Sequence, residues 1–540
     1  MTASEPLPPI LDRWRILALL VISILVHGWL ISNTAATARD SIGYARYAWN
    51  LKEPQSSRLA YIRGQAQHPG YPLLASLVAA PVSLGFSGPP HELMLKACQI
   101  TSALFGTLLV LPMFWLGKRL FNSGTGFAAG LLVTVLPVLA RNTSDGLGDG
   151  PFLFFVAASL AFAVSSLRKS TAAGRSIAFA LSGLLAGAAY LVRPEGIVAA
   201  LAVSASLLFV AIRSRSFIKL PLDLAILFVG FALAAGPYMT LIGKMTNKPA
   251  LGTSTAEAPA AIGPPFADAM AKDLGDGERL VQAAVTCGKE FFKAGHYGVA
   301  AFILIGLVWL FPRWRKEPSF WAPLLYLAGH WAVLMLLGWR SLYISERHTI
   351  PLVGIGCLFA AGGLPAWAKW WGRQSSGWGI LGRIMRWSWW PAATVALLAA
   401  SCLPGLAKPL HENRAGHREA GHKLRELLEA MPPGERDGVL ILDHYEWAQY
   451  HIGPIPGTGW ANNHYAIRPD PPVAQQRVRY IVLECLDGEP ESPEFDSPRH
   501  AQAVECLRDG KNPPERIAEW SELPGGKSDV KIVLFRQVVR

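Results

Sequence analysis

Five short strings hold most of the residues in this chain that could do chemistry. Asp40 opens Asp40-Ser41-Ile42-Gly43-Tyr44, and His68 opens His68-Pro69-Gly70-Tyr71-Pro72. Asp145 and Asp149 share the string from Ser144 to Pro151, and Arg193 and Glu195 flank Pro194. Arg340 stands shortly before Glu346-Arg347-His348. Such a set suits three tasks. A carboxylate can take a proton from an incoming nucleophile. A guanidinium can hold phosphate through its planar fork. Two carboxylates can also supply oxygens to a divalent cation.

Each residue also has a plainer use. Asp40 can cap a helix, where a carboxylate satisfies free N–H groups and favours the dipole. Asp149 can cap the segment that follows, with Pro151 in its first turn. Two carboxylates in one short loop exceed what capping needs, but spacing alone does not choose between a base, a donor-sugar contact and a metal ion. Arg193 and Glu195 can pair locally and snorkel, or Arg193 can hold an anionic headgroup. Arg347 and His348 make a second phosphate contact or an interfacial anchor. A lone histidine such as His68 is usually structural, but this one opens an apolar segment and could line a site.

The elements that must position these residues are apolar runs. Eleven are counted, at approximately 14–32, 93–116, 124–140, 151–167, 176–192, 196–212, 220–242, 297–312, 319–338, 348–366 and 388–405. The chain is 51% apolar and 16% charged over 540 residues, against about a quarter charged in soluble domains. This predicts a polytopic α-helical membrane protein. Its net charge of +12 does not imply nucleic acid, because the cations lie beside the spans. Lys118, Arg119, Arg168, Lys169, Arg175, Arg213, Arg215, Arg313, Arg315, Lys316, Lys369, Arg373, Arg383 and Arg386 fall on one side. The opposite short connections hold only Arg141, Arg193, Arg340 and Arg347. The positive-inside rule then puts the N-terminus in the cytoplasm and all five strings outside. Many of the nineteen Trp lie at span ends, as interfacial rings do.

Three longer segments fall on the outer side. The first, 33–92, holds an amphipathic helix from Asp40 to Leu51, with Tyr44, Tyr47, Ala48 and Leu51 on one face. In it, Pro69 to Phe86 is apolar but broken by Pro72 and Pro81, and re-enters the membrane or lies on it. The second, 243–296, predicts a helix from Asp276 to Phe292 and a mobile loop at Pro259 to Pro265. The third, 404–540, turns soluble. A helical pattern at Arg418–Met431 and strand patterns at 438–443, 479–484 and 530–535 predict a small α/β domain. Residues 1–403 and 404–540 thus read as two domains. The six Cys show no metal or redox spacing, and a Cys485–Cys506 disulfide is left open. Ala36-Thr37-Ala38 resembles a signal-peptidase site, but the long first apolar run reads as an uncleaved anchor.

In their order along the membrane part, these strings resemble the GT-C glycosyltransferases. The likeness is to bacterial members of the protein O-mannosyltransferase and aminoarabinose transferase group, of the glycosyltransferase family 39 type. The matches are Asp40 with Tyr44, His68 to Pro72, Asp149-Gly-Pro-Phe-Leu-Phe-Phe155, Leu191 to Gly196 and Glu346 to Pro351. Ser41 stands where many relatives have a second acid, and His68-Pro69-Gly70 where HPP is often seen. These departures leave the acceptor and the division of labour between the acids open.

The resemblance implies an inverting glycosyltransferase in a bacterial cytoplasmic (inner) membrane. Its sugar donor would be carried on polyprenyl phosphate, and its acceptor would be a lipid, glycan or protein. Asp40 would be the catalytic base or acceptor contact and Asp149 the supporting acid. Tyr44, His68, Asp145, Arg193, Glu195, Arg340, Glu346, Arg347 and His348 are the candidates for holding substrate. No cofactor is required by this reading, and a divalent cation is left open. The sequence shows no soluble-nucleotide motif. A transporter or flippase of a lipid-linked substrate is the alternative, although such proteins place charges deep in their spans and often carry internal repeats.

Overall fold

The computed structural model describes residues 9–52, 57–167, 171–248, 275–341, 343–374, 389–411, 414–436, 439–443, 447–453, 455, 477–486, 489–490, 498–508, 512–521 and 530–539. The expected loop at Pro259 to Pro265 lies outside them.

Among the described residues, nine helices are long and apolar enough to cross a membrane. A tenth candidate is a pair, Asp276–Ala294 and Gly298–Trp309, bent by 111°. Two of the eleven expected spans are therefore broken passes and not single long helices. The third is the 13-residue helix Ser123–Val135, which stops at extended Leu136 before Pro137 starts the short helix Pro137–Asn142. The residue before a proline is pushed out of the helical region. The eighth is the 12-residue arm Gly298–Trp309 of the bent pair. At about 1.5 Å per residue, 12 or 13 residues fall well short of a ~30 Å core.

The segment after His68 is one helix, Gly70–Ser83, despite its two prolines. Pro72 lies in its first turn and Pro81 in its last, where a missing N–H or a broken carbonyl contact costs least. The predicted amphipathic helix is Arg39–Lys52, with Tyr44, Tyr47, Ala48 and Leu51 all buried. These two helices pack on each other and on the start of Pro90–Leu108.

Burial separates the spans. The most apolar stretches of Glu346–Ala368 and Asp149–Ser166 are 89% and 83% buried, but those of Ile10–Ser32 and Trp390–Ala407 only 22%. The most enclosed helices are the two that begin with Glu346-Arg347-His348 and with Asp149. Both run through the interior of the bundle, with Asp149 buried and Glu346 exposed at their starts, while outer spans present Leu25, Leu233 and Leu397 at the surface.

The tail holds a mixed sheet in the order β1-β2-β5-β4, with strands β1 (Val439–Asp443), β2 (Val478–Leu486), β4 (Glu515–Ser521) and β5 (Val530–Val538). A short β3, Glu489–Pro490, pairs with β2. β1 and β2 are parallel and the other pairs antiparallel. Alternate residues serve two cores. Val439, Ile441, Tyr480 and Val482 meet Leu424 and Leu428 of the Ala415–Ala430 helix. Leu440, Leu442, Ile481 and Leu483 meet Ala503 and Cys506 of Pro498–Leu507. A strand covered on both faces of its sheet needs apolar residues at every position, which is why β1, at the end of the order, reads as a continuous apolar run. Of the strands, β3 and β4 were not expected; the alternation of β4 is interrupted by a bulge between Arg516 and Ala518. Cys485 and Cys506 share this second core as thiols, without a bridge.

Candidate active site

The turn between the short helix Pro137–Asn142 and the Asp149–Ser166 helix is strapped from several sides. The Ser41 hydroxyl donates to the Asp145 carbonyl and the Ser102 hydroxyl to the Leu147 carbonyl. Gly146 has φ +69°, and a Cβ there would press on Ser41 and Cys98 at 3.3 Å. Only glycine takes this position without strain. The turn therefore fixes Asp149 beside the start of the Arg39–Lys52 helix, where Asp40 lies.

A second junction brings in Arg193. The His68 ring packs against the end of the Ala172–Val192 helix, with Nδ1 2.7 Å from the Tyr190 carbonyl oxygen and Nε2 2.9 Å from Thr246 Oγ1. A carbonyl only accepts, so Nδ1 carries the proton and Nε2 accepts from the threonine. Burial pushes this imidazole down to about 4, so it is neutral at pH 7. Two residues on, a Cβ on Gly70 would lie 2.6 Å from the Leu191 carbonyl. Glycine at that position permits the close approach of the two segments. It gives a physical reason for Pro69-Gly70 where the related motif has a second proline.

The result is a four-residue charge network. Arg347 Nη1 lies 2.5 Å from Asp40 Oδ2, and its Nε lies 2.8 Å from Asp149 Oδ2. Arg193 Nη1 lies 2.8 Å from Asp149 Oδ1. Two acids and two guanidiniums from four separate parts of the chain thus cancel in formal charge. They differ in access: the Asp149 side chain is 1% exposed and that of Asp40 47%. Packing around Asp40 desolvates its carboxyl and pushes it up. Arg347, backed by Arg193 and Lys248, outweighs this and holds it below the usual carboxylate range. Solvent at this half-exposed group keeps the effect modest.

The other sequence candidates divide. Tyr44 is buried near the network, edge-on to Tyr71 with ring centroids 4.8 Å apart, and burial pushes its phenol up. Glu195 faces Lys248 at 3.9 Å. His348 Nδ1 accepts from Ser345 N at 3.1 Å and so fastens the first turn of the helix that carries Arg347. Asp145 is engaged elsewhere. It takes Ala38 N at 2.9 Å and His411 Nε2 at 2.5 Å, bracing the outer helix against the tail. Glu346 has Glu290, Lys293 and Arg141 as its charged neighbours, and Arg340 is exposed at the end of its helix. The structure brings Asp40, Asp149, Arg193 and Arg347 into contact, with Tyr44, Glu195 and His348 around them.

Two nearby groups were not singled out in the sequence. Lys248 follows a loop whose fold no periodicity reveals. His330 is buried within a span, with Nε2 3.2 Å from the His348 carbonyl oxygen. A histidine inside an apolar run was a readable signal, because polar groups in spans are costly.

The donor set here does not fit a divalent cation. Asp40 and Asp149 share Arg347, and Arg193 holds the remaining oxygen of Asp149. A cation would have to lie against two guanidiniums. Among the described residues, the His/Cys/Asp/Glu group with metal-ligand spacing is elsewhere, at Glu92, His422 and His451.

Solved structures share this fold. ArnT from Cupriavidus metallidurans in the apo state superposes with a TM-score of 0.57 at 13% identity, over 96% of this chain and 97% of that one. The same protein bound to undecaprenyl phosphate gives 0.55 at 12%, with the same coverage. The chain has the GT-C fold. The apo Archaeoglobus fulgidus oligosaccharyltransferase shares that fold, with a TM-score of 0.54 at 15% identity over 91% of this chain. The chain spans 63% of that relative's length. The family model described as oligosaccharyl transferase STT3, N-terminal, matches residues 61–252. This stretch runs from before His68 to beyond Lys248 and holds Asp149 and Arg193. No curated protein sequence matches the chain.

Proposed function

We propose that the chain transfers a sugar from a polyprenyl-phosphate donor to a lipid, glycan or protein acceptor. The observation that carries this reading is the sharing of Arg347 between a buried acid and an exposed one. A donor phosphate has the charge and oxygens to compete with Asp40 for the Arg347 Nη1 group, and Arg193 lies ready for a second contact. A relative of the same fold was solved with undecaprenyl phosphate bound, which supports this donor class.

The chemistry follows from that competition. Phosphate on Arg347 frees Asp40 from the cation that lowers its basicity. Asp40 then takes the proton from the acceptor hydroxyl or amine. The acceptor atom attacks the anomeric carbon from the side opposite the phosphate, so configuration inverts. The bond from that carbon to the phosphate oxygen breaks, and its electron pair leaves with the phosphate. Arg193 and Arg347 stabilise the charge that develops there. Asp149 keeps both guanidiniums aimed throughout.

The positive-inside pattern supports an orientation in which this site and the tail are extracytoplasmic, in a bacterial inner membrane. The test is purified protein with radiolabelled polyprenyl-phosphate sugars and a crude envelope acceptor fraction. Label appearing on an acceptor supports transfer. Label that only crosses a vesicle bilayer identifies a flippase, and neither result removes the donor assignment. A reporter fused after Arg540 that works only in the cytoplasm overturns the orientation.

A further inference from the structure

A second cluster of chemistry-bearing side chains lies where the tail rests on the membrane part. Glu92 sits in the first turn of the Pro90–Leu108 helix, His422 in the middle of Ala415–Ala430 and His451 in Trp447–Ile452. Their ligand atoms all lie within 4.8 Å of one another. His422 Nε2 is 3.5 Å from Glu92 Oε1. Zinc–ligand bonds of about 2.0–2.1 Å set the edges of a tetrahedral site at roughly 3.4 Å, so this pair already stands at the spacing of two ligands on one ion.

The local fold holds the three together. A Cβ on Gly421 would lie 2.6 Å from the Ala448 carbonyl and from His451 Cβ, so glycine lets the two tail helices approach and sets His422 beside His451. Their rings are 6.0 Å apart and nearly perpendicular. The tail is pinned over Glu92 by Tyr450 Oη donating to the His91 carbonyl at 2.8 Å and Trp447 Nε1 donating to the Thr37 carbonyl at 2.9 Å.

His451 points to a ligand independently of that spacing. It is 5% exposed, and neither ring nitrogen has a hydrogen-bond partner among the described residues. A buried imidazole is normally bonded at one nitrogen at least, since an unpaired buried polar atom is costly. The Glu92 and His422 side chains keep 32% and 40% exposure, which leaves a path for an ion and a water on the open position.

We infer that Glu92, His422 and His451 bind a zinc-class divalent ion that clamps the soluble domain to the membrane domain. Two imidazoles and one carboxylate suit zinc, cobalt(II) or nickel(II) rather than magnesium or calcium. Because the ligands come from both domains, binding energy goes into docking the tail, with no part in the sugar chemistry proposed above.

The test uses the full chain, tag-free and in detergent, stripped with chelator and titrated with zinc or cobalt(II) alone. The expected result is one zinc per chain by elemental analysis, a tetrahedral cobalt d–d absorption band, and a tail that zinc protects from limited proteolysis. His422→Ala, at a half-exposed position that tolerates truncation, should lose the ion and the band while folding. His451→Ala should do the same, and Asp40→Asn should retain both. Wild-type protein that takes up no stoichiometric zinc overturns the proposal. So does full occupancy in both His422→Ala and His451→Ala, or loss of the ion in Asp40→Asn.

Discussion

Both ends of the bundle bury carboxylates against cations, and they do so differently. At the end rich in Lys and Arg, each buried acid has a local helper. Asp12 is 2.5 Å from Lys118 with Arg15 at 3.7 Å, and Asp223 is 2.5 Å from Arg175. At the other end Arg347 is divided between Asp40 and Asp149, and Asp149 draws in Arg193 as well. The first arrangement ties neighbouring helices at the membrane edge. The second leaves one acid half-exposed on a cation it does not own. A ligand of the right charge can exchange with it, which a closed pair resists. On the proposed function, the comparison separates ion pairs that hold a fold from one that works.

The largest effect expected from this contrast is on Asp40. Asp40→Asn keeps the size of the side chain and removes the base, so transfer should fall by roughly 10²–10⁴-fold with the melting temperature little changed. The matching change at the other end, Asp223→Asn, should leave the activity of the folded protein alone and lower its stability by about 1–3 kcal/mol, the cost of depriving Arg175 of its charge-assisted bonds. Activity assays and thermal unfolding of the two variants side by side decide it. Equal loss of activity in both would erase the distinction between the faces.

Arg347 comes next. Arg347→Ala should weaken donor use by about ten-fold to a hundred-fold, the roughly 1.5–3 kcal/mol of a charge-assisted contact. Arg347→Lys should recover only part, since an ammonium cannot serve two partners with one planar fork. Donor dependence at saturating acceptor is the measurement. A wild-type donor dependence in Arg347→Ala would move the phosphate site elsewhere.

A smaller effect is expected in the pH profile. Asp40 is held below the ordinary carboxylate range by Arg347. Its pairing therefore stabilises the fold above the unfolded value of about 3.9 and is lost as pH falls through the lower folded value. For the same reason the acid limb of kcat/KM, which reports the free enzyme, should lie below pH 3.9 for this group. In Arg347→Lys it should stay low, and in Arg347→Ala it should move up. An acid limb unmoved in Arg347→Ala would mean that another group titrates. The smallest effect belongs to Lys118, whose side chain is 49% exposed. Lys118→Ala should cost no more than about 1 kcal/mol by thermal unfolding and nothing in activity.

Much of the candidate site was legible as residues. Asp40, Asp149, Arg193 and Arg347 stood out because charged groups at the ends of apolar runs are few. Their pairing was not legible, since Arg347 reaches acids hundreds of residues earlier in the chain. Asp145 and Asp149 looked alike in one short loop, yet one faces the network and the other braces Ala38 and His411. Only the left-handed turn at Gly146 and the straps from Ser41 and Ser102 separate them. The Glu92, His422 and His451 cluster was invisible, because its histidines are scattered through a tail that reads as ordinary soluble sequence.

By itself the sequence determined the membrane class, most of the spans, the charge asymmetry across them and the strands β1, β2 and β5. These follow from local quantities: the length of an apolar run, its flanking charges and the period of its side chains. It did not show that two of those spans are broken, because run length does not reveal where a proline breaks a helix or where a helix pair bends. Tertiary structure alone decided which acid is exposed, which guanidinium is shared and which histidines meet. Those depend on Gly70 and Gly421, where the missing Cβ lets a distant backbone approach to contact distance, and on Gly146, whose left-handed φ turns the loop. Such contacts are set by how whole helices pack, and no window of sequence contains them.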